Sequence, residues 1–201
     1  MILSAYGCVG LVAADRNELS GLKNEPSIPV VCHRPQDLFV SMAGVGGKKM
    51  IREYGLQDPA LRLRDRLISA LATDLGIRGF DVAPEPLEND DFDTVRARFP
   101  RRVVLDFKTT LWTLFPSKGI AFSSDYMVLY GVRARLLRTE DGKIMWEGQC
   151  QTERNQSADR SWDDLTANGA ALLKARGSTR SPTLAPSDCV PKCSLEINRS
   201  R

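Results

Sequence analysis

Residues 126–152, YMVLYGVRARLLRTEDGKIMWEGQCQT, decide the fold class. Tyr126, Val128, Tyr130, Val132, Ala134 and Leu136 recur at every second position, and Arg133 and Arg135 fall on the other face, the period of a strand with one side buried. Asp141-Gly142 supplies a turn, and Lys143 to Thr152 returns with Ile144, Trp146 and Cys150 expected on a shared face, so the stretch reads as a β-hairpin. Working outward, Arg102 to Phe115 alternates in the same manner: Val103, Leu105, Phe107 and Leu111 oppose Asp106, Lys108 and Thr110, which predicts a third long strand inside the sheet.

Around these strands the signals turn helical. Asp58 is placed to cap a helix over Pro59 to Leu75, with Gly76 just past its end and Ala60, Leu63, Leu67, Ile68, Leu71 and Leu75 along one face. Short strands are expected at Pro29 to Cys32, Leu38 to Met42 and Phe80 to Val82, a brief helix at Phe92 to Phe99, and a last helix opening at Ser161 that buries Trp162, Leu165 and Leu172. Gly44 to Lys49 is glycine-rich but lacks the spacing of a phosphate loop or a dinucleotide fingerprint, and reads as a turn. The expected fold is α+β: a largely antiparallel sheet with helices packed on one face, a two-layer sandwich. The organisation expected along the chain is a remnant signal and lipid-anchor segment over 1–14, a tether over 15–29, one α+β domain over 30–174, and an irregular basic tail over 175–201.

Composition narrows the functional classes. With 201 residues, 42% apolar and 26% charged, the chain has enough for one domain with its own core, and no stretch reaches the roughly 18 consecutive apolar residues of a membrane-spanning helix. The net charge of +3 is concentrated in residues 174–201, which hold six basic and two acidic groups, whereas residues 1–173 carry 22 basic and 23 acidic. The body therefore offers no field for capturing polyanions, and nucleic-acid binding is not expected. One histidine and no CxxC pair leave no zinc pattern, and no metal or other cofactor is expected.

Two readings fit the amino terminus. Ala5 and Gly7 stand three and one positions before Cys8, the small residues that signal-peptidase cleavage at a lipidated cysteine requires, and this reading needs a start codon upstream of Met1. The other is a ragged apolar segment with an incidental cysteine. Cys32, Cys150, Cys189 and Cys193 are equally two-sided: a Cys150–Cys189 bridge would close a loop of about 40 residues and contribute on the order of 4 kcal/mol, but only in an oxidising compartment, whereas in the cytosol all would stay thiols.

Several stretches together carry a resemblance: Glu25 to Val31, Tyr54-Gly55-Leu56-Gln57-Asp58-Pro59-Ala60, Val104-Leu105-Asp106 with Trp112, Gly142 to Cys150, and Asp164 to Lys174. Over roughly residues 22–174 the chain resembles a family of uncharacterised outer-membrane lipoproteins of Gram-negative bacteria. The resemblance implies secretion, anchoring at Cys8, and a disulfide from Cys150 to a cysteine near the carboxyl end. It brings no activity with it. After Lys174 the chain departs from the family pattern, because Gly177, Pro182 and Pro186 interrupt what the family continues as a helix.

Enzymatic chemistry has few candidates. His33 is the one available imidazole base, and its neighbour Cys32 points to the opposite face if both lie in a strand, which is poor geometry for a dyad. Glu85, Glu88, Asp90, Asp91 and Asp93, or Asp106, can supply the paired carboxylates of a glycan or peptide hydrolase, although loop acids ahead of a helix usually act as caps and solvated charge. Trp112, Trp146 and Trp162 are expected to pack in the core rather than form a sugar platform. The favoured expectation is a non-enzymatic lipoprotein on the periplasmic face of the outer membrane, an interaction module for an envelope protein or glycan, with no catalytic residues. An envelope hydrolase is the alternative.

Overall fold

The hairpin forms as its pattern requires. In the computed structural model, which describes residues 7–12, 15–34, 38–40, 46–58, 60–116, 125–151 and 160–176, the elements run β1 (Gly7–Val12), α1 (Arg16–Gly21), β2 (Ile28–Cys32), β3 (Phe39–Val40), α2 (Gly47–Tyr54), α3 (Ala60–Leu75), β4 (Phe80–Val82), α4 (Phe92–Arg98), β5 (Val103–Pro116), β6 (Asp125–Arg138), β7 (Lys143–Gln151), β8 (Arg160–Ser161) and α5 (Trp162–Arg176). Gly142 takes φ +78° in the turn between β6 and β7, a conformation that a side chain resists, and an added Cβ there would sit 3.3 Å from the Phe92 ring.

The fold is α+β, but the sheet is mixed rather than largely antiparallel. Its strand order is β1-β7-β6-β5-β2-β4, with β3 paired to β5 and β8 to β6. β1, β7, β6, β5 and β8 pair antiparallel, whereas β2 lies parallel to both β4 and β5, and β3 parallel to β5. Parallel neighbours need crossovers, and these decide the helix layers. The chain leaves β2 for β4 through α3 and then returns past β2 to β5 through α4. Right-handed crossovers taken in opposite directions along a sheet place their helices on opposite faces.

The cores confirm this placement. Leu67 and Leu71 of α3 pack with Leu105, Phe107, Ala134, Leu136 and Trp146, while Val95 of α4 packs with Val31, Val104 and Leu137 on the other side of the same strands. Helices therefore cover both faces, not one.

Two irregularities change which residues share a face. A bulge between Thr109 and Leu111 shifts the parity of β5, so Trp112 and Leu114, rather than Leu111, continue the face begun by Leu105 and Phe107. A second bulge, at Leu136/Leu137 against β7, separates Ile144, which joins the α4 side, from Trp146, which joins the α3 side. Strict alternation predicted a shared face in each case.

Other differences follow from local backbone chemistry. Gly47-Lys48-Lys49, expected within a turn, opens α2, with Gly46 as its extended N-cap. In α5, Ser161 Oγ accepts from Asp164 N at 3.1 Å as a cap, and Leu165 is fully buried. Ala167 to Ala170 then leave helical geometry: Asn168 and Gly169 take positive φ readily, and Ala170 is carried with them. This kink buries Ala170 and leaves Leu172 exposed, contrary to the continuous helix expected.

The expected anchor and tether segments contribute to the domain. β1 forms the edge of the sheet against β7, with Cys8 opposite Cys150 in register. Leu19 of α1 and Leu22 of the 3-10 turn after it are buried in the α3-side core. Cys189 and Cys193 lie outside the described residues. Among those residues no helix is long and apolar enough to cross a membrane.

Candidate functional site

On the α4 side of the sheet, beyond the small core around Val95, the strands present charge. β5 places Asp106 and Lys108 on this face, and β6 places Arg135 and Arg133 directly opposite them as cross-strand partners. His33 follows β2 and reaches the same face, because the backbone past Cys32 stays paired: His33 N donates to Phe107 O at 3.0 Å. The fifth participant, Asp90, comes from the loop between β4 and α4.

Asp106 is the centre of this group and is wholly buried. One of its oxygens, Oδ1, lies 2.5 Å from His33 Nε2, and the other, Oδ2, accepts from Arg135 Nε. A buried carboxylate is tolerated only when paired and hydrogen-bonded, and both its oxygens are. His33 Nδ1 is buried and has no partner among the described residues.

Asp90 occupies the more open end. Its Oδ2 lies 2.9 Å from Lys108 Nζ and accepts from Arg133 Nη2 at 3.1 Å, while Arg135 Nη2 donates to its main-chain oxygen at 2.8 Å. Arg133 Nη2 is also 3.8 Å from Asp106 Oδ2, so the two carboxylates are linked through one guanidinium. The hydrogen bond from Lys108, with the further positive charge of Arg133, holds the Asp90 carboxyl at a pKa of about 2 against an ordinary value of 3.8. Because this value is lowered, the latch stabilises the fold above the unfolded-chain pKa and loses that contribution as pH falls through about 2. The expected result is a side-chain carboxyl carbon shift for Asp90 that titrates near pH 2 by NMR. Titration near 4, with the other aspartates, would show the latch to be open in solution.

The remaining loop acids have separate structural jobs. Asp91 caps α4, accepting from Thr94 N at 2.8 Å, and Glu88 pairs with Arg34 at 2.8 Å on the exposed surface. Glu85 and Asp93 are exposed. Of the acids expected as hydrolase candidates, the fold thus brings Asp90 and Asp106 together, each already held by cations, and disperses the rest. Cys32 faces away from His33, with its Sγ 3.8 Å from Arg64 Nη1, and burial pushes its thiol pKa up. Trp112 and Trp146 are buried, and Trp162 meets Tyr126 edge to face at 5.7 Å.

Arg133, Arg135 and Lys108 were the site residues that sequence reasoning gave no role. A signal was present: two arginines at period two in an otherwise apolar strand, opposite a strand that carries Asp106 and Lys108 at the same period.

No family model matches the chain, and no curated protein does. Among solved structures it is similar to the PelC dodecamer from Paraburkholderia phytofirmans, with 13% identity and a TM-score of 0.32 over 84% of this chain and 89% of that one. It is similar to the lipoprotein GNA1162 from Neisseria meningitidis, with 18% identity and a TM-score of 0.32 over 77% of this chain and 94% of that one. A neuraminyllactose-binding hemagglutinin homolog from Helicobacter pylori gives 11% identity and a TM-score of 0.34 over 78% of this chain and 77% of that one.

Proposed function

We propose that this chain is a non-enzymatic interaction module of the Gram-negative cell envelope, anchored through a lipid on Cys8 at the periplasmic face of the outer membrane. The observation that carries the non-enzymatic part is the engagement of the acids. Asp106 is closed between His33 and Arg135, Asp90 is bridged by Lys108 and Arg133, and Asp91 serves as a helix cap. A general acid and base pair needs carboxyls poised near neutral pH and open to substrate, and a carboxyl held at about 2 is neither a proton donor nor a strong base there. The anchor is supported by Ala5 and Gly7 ahead of Cys8. A chain cleaved before Cys8 would begin on β1, at the edge of the sheet, so the lipid would join the folded body with no tether between them.

Metabolic palmitate labelling of the full-length gene product tests the anchor, with label expected in the native chain and absent from Cys8→Ala. Equal label in both overturns lipidation at Cys8. A steady turnover on cell-wall glycopeptide that Asp90→Asn abolishes overturns the non-enzymatic reading.

A further inference from the structure

We propose that the Lys108–Arg133 pair is a recognition site for an acidic peptide segment of a partner protein, and that the chain's own Asp90 occupies it as an exchangeable internal ligand. The inference rests on the interaction-module reading above and names the chemistry of the partner.

Lys108 and Arg133 are direct cross-strand partners, and like charges set opposite one another destabilise a sheet unless an anion lies between them. Their row continues in Gln149 of β7, an uncharged amide, so the neighbouring strand supplies no counter-charge in that row. Arg133 Nε is buried and has no partner among the described residues, although the same guanidinium binds Asp90 through Nη2. One oxygen of Asp90 serves both cations, the other carboxylate near Arg133, Asp106, stands beyond hydrogen-bond distance at 3.8 Å, and Arg133 Nε has room for a further acceptor.

The occupant comes from an acidic segment, Glu-Pro-Leu-Glu-Asn-Asp-Asp-Phe-Asp over 85–93, which shows the kind of chain that fits. Its attachment is also suited to exchange. Leu87 is buried and tied to β2 by its own N–H to Cys32 O at 2.9 Å, and Val95 of α4 is buried, so the segment is secured on either side. Between these points Asp90 is held by side chains that remain partly open to solvent, with Lys108 and Asp90 both just under one-third exposed. An incoming carboxylate therefore needs to displace one side chain and not unfold the loop.

The test uses the purified full chain and a fluorescein-labelled, amidated peptide of residues 88–93, Glu-Asn-Asp-Asp-Phe-Asp, read by fluorescence anisotropy. Asp90→Asn, with unchanged circular dichroism, is expected to bind it about tenfold more tightly than the native chain, and adding Lys108→Ala to that variant is expected to remove the gain. Equal affinity of the native chain and Asp90→Asn, or no binding by either, overturns the proposal. Inorganic phosphate that competes as well as the unlabelled peptide at equal concentration overturns the assignment to a peptide. None of these readings depends on lipid or compartment, so a failed anchor experiment and a failed peptide experiment remain distinct.

Discussion

Replacing Asp106 by alanine is expected to lower the unfolding free energy by about 3–5 kcal/mol, seen as a fall in the urea midpoint with an unchanged slope. The carboxylate is fully buried between His33 Nε2 and Arg135 Nε. Its removal leaves the largely buried Arg135 guanidinium facing a cavity and the buried His33 Nε2 without its partner. Asp106→Asn, which keeps one acceptor oxygen and the shape, should cost less than Asp106→Ala. The combined Asp106→Leu and Arg135→Met variant should also cost less, because it removes the guanidinium together with the carboxylate and leaves only His33 Nε2 without its partner. If Asp106→Ala shifts stability by under about 1 kcal/mol, the network is not formed as described.

The second large effect lies on the opposite face of the same strand. Phe107→Ala is expected to cost about 3–5 kcal/mol, through lost burial and the cavity left among Leu67, Leu71, Leu105 and Ala134. Phe39→Ala makes the informative comparison. Phe39 is 63% exposed on β3, whereas Phe107 is 1% exposed, so the same substitution there should stay within about 0.5 kcal/mol. Comparable losses at the two positions would contradict the placement of β3 and β5. Asp106 and Phe107 are neighbours in sequence on opposite faces, and they fail for different reasons: one strands a charge and the other opens a void.

Much of this architecture is readable from local pattern. The β6–β7 hairpin, the apolar face of α3, the alternation that puts Asp106 with Lys108 on one side of β5 and that which puts Arg133 with Arg135 on one side of β6 each follow from period and turn chemistry within 15 residues or so, because burying one side of a strand or helix imposes its repeat on the sequence. The site was readable only as parts. Asp106 and Lys108 could be placed on one face of β5, but His33, 73 residues away, and Asp90 could not be brought to them, since no repeat in the chain encodes which distant element lies alongside.

The sequence by itself determined the long strands β5, β6 and β7, the helix α3 and, along each regular run outside a bulge, which side is apolar; those are properties of a few consecutive residues and their shared solvent, whereas α2, read as part of a turn, and β1 and α1, read as anchor and tether, were not legible in this way. Tertiary structure alone decided the direction in which β2, β3 and β4 pair, the bulge that moves Trp112 onto the α3 side, the helix layers on both faces, and the meeting of His33, Asp106, Arg135, Asp90, Arg133 and Lys108. The physical reason is that pairing direction, crossover hand and ion-pair partners depend on free energies summed over contacts between distant segments, and those contacts exist only once the chain has closed on itself.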